Sequence, residues 1–291
     1  MTIGIFHPFR NVAQLNDNVI RTVIEGFRNN ESDVFVSPVK EYVKCDVAVR
    51  WGIFSKKARR TAYRKEIDEK HNGPIVVIEL GWLGDRTQHF QFGFGGLSGR
   101  AQYYYPPEAV AKQRFNRVGI MPAAQRRKYP DDYILICGQV PWDTAVQHID
   151  YLKWVYNTID EVKEKTHRTI VFRPHPKAPT AVDRSVINSK GVRLSVGSLE
   201  KDLKSARCVI AYNSNSALES LVRGVPTITM DPGSMVHDLT QHTLDGLEHP
   251  IFPDSQLLYN RLVQIANSQW TFDELKDNLP WQIAKQQLGL K

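Results

Sequence analysis

The sequence predicts an α/β protein with two domains, each built on a parallel sheet flanked by helices. Short apolar runs rich in β-branched residues alternate with helix-length amphipathic stretches along most of the 291 residues. A segment with two prolines, several charges and no periodicity, residues 121–132, separates two such series. The chain is also too long for one modest core. Because strands joined by helices require right-handed crossovers, we expect both sheets to be parallel.

The first series contains four predicted strands and two predicted helices. Residues 81–99, which follow the last of these strands, are rich in glycine and aromatic residues and predict a loop or hairpin. The strands are Ile3–His7, Val34–Ser37, Val47–Trp51 and Ile75–Leu80, and the helices are Asn18–Arg28 and Lys56–Lys70.

The second series contains five predicted strands separated by stretches of helical length. We therefore predict domains of residues 1–128 and 129–291 with a ligand cleft between them, and helices at the C-terminus that pack back on the first domain. The five strands are Tyr133–Gln139, Thr169–Phe172, Val192–Val196, Cys208–Tyr212 and Thr227–Met230.

Charge is divided unequally between the two halves. Residues 1–130 hold 21 Lys and Arg against 12 Asp and Glu, a net +9, whereas the remainder holds 17 against 19, a net −2. Such asymmetry indicates either a polyanionic partner or a contribution to solubility. The densest basic stretch is either a solvated helix face or a surface for nucleic acid. Its cations are Lys56, Lys57, Arg59 and Arg60.

Composition and cysteine usage exclude several classes of protein. The chain is 42% hydrophobic and 24% charged, as expected for a globular protein. No apolar stretch reaches the length of a membrane span, and the N-terminus has no signal-like segment. Cys45, Cys137 and Cys208 are scattered, which argues for a reducing compartment and against disulfides or a zinc site. We expect a cytoplasmic protein whose cysteines are core residues.

The run Arg-Pro-His-Pro-Lys at residues 173–177 is the most informative feature. It follows the apolar strand Thr169–Phe172, and its prolines cannot continue a central ladder, so the chain must leave the sheet there. The exit carries the cations Arg173 and Lys177 and the imidazole of His175 to the carboxyl edge, where α/β proteins bind ligands. The pattern favours a phosphate-bearing ligand, although a proline turn with solvated cations would explain it too.

Two further segments end strands of the second domain. Gly138 and Gln139 close the first strand, where a glycine permits close approach of the backbone to a ligand. Residues 213–219, Asn-Ser-Asn-Ser-Ala-Leu-Glu, lead from a strand into a helix whose N–H groups and serine hydroxyls suit phosphate. A capping box of Ser216 with Glu219 is the structural alternative. Asp231, after the last strand, is placed to contact a nucleoside or a sugar.

Together these motifs resemble the GT-B glycosyltransferases, specifically the capsule-polysaccharide Kdo-transferase-like group. The order Gly-Gln, Arg-Pro-His-Pro, Asn-Ser-x-Ser-x-x-Glu and Gly-x-Pro carries the resemblance in the second half, over residues 138–226. In the first half, Val49–Gly52, Lys56-Lys57, Glu79–Leu83 and Gly95–Leu97 are similar to the acceptor-side domain of that group. The group tends to carry Glu-Asp-Gly where this chain has Glu79-Leu80-Gly81.

The resemblance implies two Rossmann-like domains and a nucleotide-sugar co-substrate held mainly by the second. It also implies catalysis with no tightly bound metal or cofactor. Arg173 and Lys177 would stabilise the departing phosphate, His175 would bind phosphate or sugar, and Glu219 would hold ribose or position a neighbouring residue. The donor site would comprise Gly138, Gln139, Arg173, His175, Lys177, Asn213, Ser214, Ser216, Glu219 and Asp231.

For catalysis, Glu79 is the predicted general base, because it ends a strand and faces the expected cleft. Asp85 and His7 are alternative bases, and His175 is a further catalytic candidate. Trp82 and the basic stretch are the predicted acceptor contacts.

Several functions remain open from the sequence. The basic first half favours a DNA acceptor that carries hydroxymethylated pyrimidines, as in bacteriophage DNA modification. A capsule or surface-glycan transferase is the alternative closer to the family. A non-catalytic nucleotide- or nucleic-acid-binding protein and, less strongly, a sugar epimerase would use the same scaffold.

Overall fold

The computed structural model describes residues 1–9, 14–38, 41–123, 125 and 132–290, and it confirms the α/β class. The chain forms two compact units, Met1–Ile120 with Leu262–Lys291, and Met121–Arg261. The predicted domain boundary after residue 128 lies outside the described residues. The C-terminal segment belongs to the first unit.

Unit 1 is built on a six-stranded sheet. Its strand order is β11-β5-β4-β3-β1-β2, in which β2, β1, β3 and β4 run parallel and β5 and β11 are antiparallel. Segment 81–99 therefore contains a strand that forms a hairpin with β4. The prediction of a parallel sheet is wrong for this part of unit 1, because β5 and β11 run antiparallel to their neighbours. The strands are β1 Ile3–Phe6, β2 Val34–Ser37, β3 Val47–Trp51, β4 Ile75–Leu80, β5 Phe90–Phe94 and β11 Gln269–Trp270.

Helices cover this sheet and connect its strands. α1 packs against α9, and a Cβ added at Gly26 would lie 2.3 Å from the Leu275 carbonyl oxygen, so only glycine permits this approach. The helices of unit 1 are α1 Leu15–Asn30, α2 Ala62–Lys70, α3 Glu108–Val118, α9 Phe272–Lys276 and α10 Leu279–Leu288.

The predicted helix over Lys56–Lys70 is wrong in its first turn and a half. A 3-10 turn at Arg59–Thr61 precedes α2, which begins at Ala62. The Thr61 hydroxyl donates to the Ala58 carbonyl at 2.7 Å and accepts from the Ser55 N–H at 2.9 Å. This local turn competes with helix, as threonine hydroxyls often do.

Unit 2 contains a wholly parallel five-stranded sheet in the order β10-β9-β6-β7-β8, with β6 at the centre. The predicted parallel sheet is thus confirmed. Its strands are β6 Tyr133–Cys137, β7 Ile170–Arg173, β8 Arg193–Leu194, β9 Ala206–Ala211 and β10 Thr227–Thr229. Its helices are α4 Tyr151–Lys165, α5 Arg184–Ser189, α6 Leu199–Leu203 and α7 Ser216–Val222, and α8 Ser255–Ala266 crosses from this unit into unit 1.

Candidate functional site

Most of the predicted donor residues of unit 2 lie in the loops that follow β6, β7, β9 and β10, whereas Arg173 ends β7 and Ser216 and Glu219 lie on α7. Because these strands are parallel, their carboxyl ends meet at one edge of the sheet. The loop after β6 contains Gly138 and Gln139, and the loop after β7 contains His175 and Lys177. Residues 213–215 follow β9, and Asp231 follows β10. The sequence-predicted residues are therefore brought to the same edge.

A buried hydrogen-bond network joins three of these loops. The Gln139 amide donates to Asn213 Oδ1 at 2.7 Å, and its Oε1 accepts the Asn213 N–H at 3.0 Å. Asn213 Nδ2 then donates to Asp231 Oδ1 at 2.8 Å. Asp231 is only 4% exposed, and the Gly233 N–H donates to the same oxygen at 2.8 Å. A buried carboxylate satisfied in this way fixes the relative positions of the loops.

His148 extends this network, and the sequence analysis missed it. Its Nε2 lies 3.2 Å from Asp231 Oδ2 and 3.0 Å from the Tyr212 hydroxyl. The available signal was its position in the loop between β6 and α4, two residues before Asp150, whose side chain caps α4. A polar side chain in a loop at the carboxyl edge qualifies as a site candidate.

Gly138 is required by packing against the segment that leaves β7. Its N–H donates to the Arg173 carbonyl at 2.7 Å, and an added Cβ would lie 3.0 Å from that oxygen and 3.0 Å from Phe172 Cζ. In the same segment, His175 Nδ1 accepts the Lys177 N–H at 3.1 Å, so the neutral ring carries its proton on Nε2. His175 is half-buried and Lys177 is exposed.

Arg173 has a partner that the sequence analysis did not anticipate. Its Nη1 lies 2.9 Å from Asp202 Oδ2, and both side chains are largely buried. The Ser195 hydroxyl donates to the same carboxylate oxygen at 2.6 Å. This ion pair balances the Arg173 charge within the unit, so its predicted contact with a departing phosphate stays a prediction.

The start of α7 differs from the capping-box alternative. The cap residue is Asn215, whose side chain makes no capping hydrogen bond, and the Ser216 N–H donates to the Ser214 hydroxyl at 3.3 Å. Glu219 contacts side chains one turn away on both sides, since its Oε1 accepts the Asn215 amide at 3.4 Å and its Oε2 lies 3.6 Å from Arg223 Nη1. Each contact is an i, i+4 pair on the helix surface. Gly224, at φ +79°, lies just after the end of α7 in a conformation that favours glycine.

In unit 1, Glu79 lies at the end of β4 beside the glycine that follows β3. Its Oε1 accepts the Leu80 N–H at 3.1 Å. A Cβ added at Gly52 would lie 3.2 Å from Glu79 Oε2 and 3.2 Å from Arg64 Nη1, so these two charged groups flank the same backbone position. Gly52 has φ +63°, which favours glycine there for a second reason.

The two alternative bases have different environments. His7 is 1% exposed, and its Nε2 lies 2.7 Å from the equally buried Asp17. Burial lowers the pKa of His7 and outweighs the opposing effect of Asp17, which keeps the ring neutral at physiological pH. Asp85 is exposed and accepts the N–H and hydroxyl of Thr87 at 2.8 and 2.7 Å, and these hydrogen bonds lower its pKa. A lowered pKa makes Asp85 a weak base.

The predicted acceptor contacts fall into two groups. Trp82 is 8% exposed and its ring packs edge-on against Tyr103, which gives it a packing role within unit 1. Lys56, Lys57 and Arg59 are exposed. The side chain of Arg60 lies outside the described residues.

The described residues show neither a metal-binding cluster nor a membrane-spanning helix. The described residues contain no group of three or more His, Cys, Asp or Glu arranged to hold a metal ion. Among the described helices, none combines the length and apolar character needed to cross a membrane. Catalysis without a bound metal stays a prediction.

Comparisons with known proteins agree with this architecture. The sequence model of a family described as LIC12162 family transferase matches residues 134–237, the part of unit 2 that contains the network. None of the curated proteins matches the chain by sequence.

Two solved structures are similar over most of the chain. The beta Kdo 2,7 transferase of Thermosulfurimonas dismutans KpsC has a TM-score of 0.59 at 13% identity, covering 97% of this chain and 100% of that one. The beta Kdo 2,4 transferase of the same protein has a TM-score of 0.50 at 15% identity, covering 85% and 88%. The chain therefore has the GT-B fold, as predicted. The transferase family match in unit 2 supports the predicted class of enzyme, a glycosyltransferase.

Proposed function

We propose that the protein transfers a sugar from a nucleotide-sugar donor to a hydroxyl of a glycan acceptor. The observation that carries this proposal is the network of Gln139, Asn213, Asp231 and His148 at the carboxyl edge of unit 2. It lies within residues 134–237, which match a transferase family. A rigid polar edge of this kind suits the phosphates and hydroxyls of a nucleotide-sugar.

The glycan acceptor is preferred to the predicted DNA acceptor. Two solved structures that share the fold, both from one protein, are Kdo transferases, so Kdo or a related sugar is the first donor sugar to test. The comparisons give no support to hydroxymethylated DNA. The exposed Lys56, Lys57 and Arg59 are the observation that retains DNA as the second acceptor.

In the proposed reaction, an acceptor oxygen forms a bond to the anomeric carbon while the bond from that carbon to the donor phosphate oxygen breaks. Glu79 takes the acceptor proton, and the phosphate departs with the bonding electron pair. His175 and the N–H groups near the start of α7 would hold the phosphate. No metal is required in this scheme, since the exposed Lys177, the His175 ring and the N–H groups stabilise the leaving charge.

The test is a transfer assay with the full chain and a panel of nucleotide-activated sugars that includes activated Kdo. Glycan acceptors and hydroxymethylated duplex DNA are offered separately, and products are identified by mass. A sugar-sized gain on a glycan is the expected result. A gain on DNA alone would move the acceptor to DNA, and binding of nucleotide without transfer to either would favour the non-catalytic alternative.

A matched pair of histidine variants tests the donor site. His175→Ala should lower kcat/KM for the donor by about 10- to 100-fold, because it removes a hydrogen bond to a charged group. His167→Ala is the control, because His167 is exposed and precedes β7 at the opposite edge of the same sheet. Equal activity of the two variants would remove His175 from the site.

A further inference from the structure

We infer that His148 binds a hydroxyl group of the nucleotide-sugar donor and that Asp231 sets the ring for this contact. The inference rests on the proposed function. It concerns a residue to which neither the sequence motifs nor the family match assigns a role.

The location of His148 gives the first argument. Three loops, which follow β6, β9 and β10, converge on its ring, since Tyr212 directly follows β9 and Asp231 follows β10. Tyr212 and Asp231 are 8% and 4% exposed, whereas the His148 side chain is 42% exposed. His148 is thus the accessible end of an otherwise buried network.

The hydrogen bonds of the ring give the second argument. Every hydrogen bond to the ring from the described residues uses Nε2, so its Nδ1 edge takes part in none of them. Asp231 is an acceptor when ionised, and its Oδ1 already accepts two N–H groups, from Asn213 and Gly233. The proton between Asp231 Oδ2 and the ring therefore belongs to Nε2, which leaves a lone pair on Nδ1 of the neutral ring.

This tautomer determines the class of ligand. An Nδ1 lone pair accepts a hydrogen bond from an O–H group, which ribose and sugar both provide and an ionised phosphate does not. The two Asp–His pairs among the described residues differ in accessibility. His7 and Asp17 are both 1% exposed, so a ligand cannot reach that pair without rearrangement, whereas His148 is accessible.

The test separates the two nitrogens of the ring. In His148→Gln the amide can occupy the Nε2 position and keep the Asp231 contact, but the outward nitrogen is removed. In His148→Asn the amide occupies the Nδ1 position instead. Binding of CMP, CDP, UMP, UDP and GDP, with the 2′- and 3′-deoxy forms of the tightest, is measured on the full-length chain and on both variants, with His167→Gln as control.

If the hydroxyl belongs to ribose, wild type should bind one deoxynucleotide about 3- to 10-fold more weakly than the ribonucleotide, and His148→Gln should lose this discrimination. If it belongs to the sugar, nucleotide affinities should be unchanged and the donor KM of His148→Gln should rise by a similar factor. His148→Asn should retain more of the ribonucleotide preference, or a donor KM closer to that of wild type, than His148→Gln.

The outcomes are distinct from those of the proposed function. Unchanged nucleotide discrimination and unchanged donor KM in His148→Gln, in a wild type that binds nucleotide and transfers sugar, would overturn the role of His148 alone. A wild type that binds no nucleotide would overturn the proposed function, and this inference with it.

Discussion

Gly138 connects packing to function at the scale of one residue. The sequence suggested that this glycine lets the backbone approach a ligand, but the space beside it is filled by the carbonyl of Arg173 and the ring of Phe172. The glycine therefore allows the loop after β6 to lie against the segment that contains His175. Its contribution to a ligand site is indirect, through the position of that segment.

Gly138→Ala should lower both stability and nucleotide affinity. The added Cβ, 3.0 Å from two neighbours, forces the Arg173–His175 segment to shift by a few tenths of an ångström, and such overpacking costs about 1–3 kcal/mol. Urea unfolding and nucleotide titration measure the two effects. Gly197→Ala is the control, because its Cβ would be at ordinary contact, 3.6 Å from Asp202 Oδ1. Equal stability of both variants would refute the packing argument.

Burial also sets the reactivity of the three cysteines. Burial raises the pKa of the Cys137 thiol to about 12, so this cysteine is un-ionised and unreactive at neutral pH. Cys208 is equally buried, in agreement with the predicted core role. Cys45 is half-buried, and burial raises its pKa to about 11.

At the scale of elements, Arg114 on α3 joins the C-terminal segment to the rest of unit 1. Its Nε and Nη2 lie 2.9 and 2.8 Å from the two carboxylate oxygens of Glu274, and its guanidinium stacks 3.9 Å over the Trp270 ring. It also donates to Asn267 Oδ1 at 2.8 Å and to the Gln269 carbonyl at 3.0 Å. The planar fork of arginine suits this set of acceptors.

Arg114→Met should destabilise unit 1 by about 3–5 kcal/mol, because Glu274 would remain as a largely buried, unpaired carboxylate. Arg114→Lys should cost less, since it keeps the charge but loses the fork. Urea unfolding at pH 7 measures both. Lys112→Met on the same helix is the control, because its partner Glu108 is exposed and the loss of stability should be small.

The effect of Arg114→Met should depend on pH. Burial alone would raise the pKa of Glu274, but the hydrogen bonds and charge of Arg114 outweigh it and hold that pKa below its ordinary value. A carboxylate with a lowered pKa in the folded state contributes stability above its unfolded pKa, about 4.3, and loses it as the pH falls through the folded pKa. The difference between wild type and variant should therefore shrink in acid. A difference independent of pH would mean that packing on Trp270 dominates.

Gln269 on β11 holds the loop that follows Glu79 in place through side-chain hydrogen bonds. The side-chain oxygen of Gln269 accepts the N–H groups of Trp82 and Leu83 at 2.8 and 3.0 Å, and its amide donates to the Leu83 carbonyl at 2.8 Å. A Cβ at Gly81 would lie 2.8 Å from Gln269 Oε1. The glycine of the Glu-Leu-Gly motif is therefore explained by a residue near the opposite end of the chain.

For the whole molecule, the uneven distribution of charge gives the clearest prediction. If DNA is the acceptor, replacing Lys56, Lys57, Arg59 and Arg60 with Gln should weaken its binding and reduce the dependence of binding on salt, by about 0.9 in slope for each phosphate that the protein no longer neutralises. Transfer to a glycan should be unchanged if the basic stretch only increases solubility. Binding at several salt concentrations and the transfer rate are the measurements.

A charge-matched variant controls for net charge. Lys153, Lys163, Lys201 and Lys204 are exposed in unit 2, and their replacement with Gln removes the same four charges. If both variants lose DNA affinity equally, the effect is one of overall charge. If only the first loses glycan transfer, the basic stretch contacts the acceptor.

The sequence by itself determined the first four strands of unit 1, the parallel sheet of unit 2 and the set of loops at its carboxyl edge. These depend on apolar periodicity and on prolines and glycines, which act over a few residues and can be read locally. Only the tertiary structure decided that Asp202 pairs with Arg173, that Asp231 orients His148 and that Gln269 fixes the Glu79–Leu83 loop. Arg173 and Asp202 are 29 residues apart, His148 and Asp231 are 83 apart, and Trp82 and Gln269 are 187 apart. Such contacts depend on the geometry with which distant segments meet, and short-range patterns do not encode that geometry.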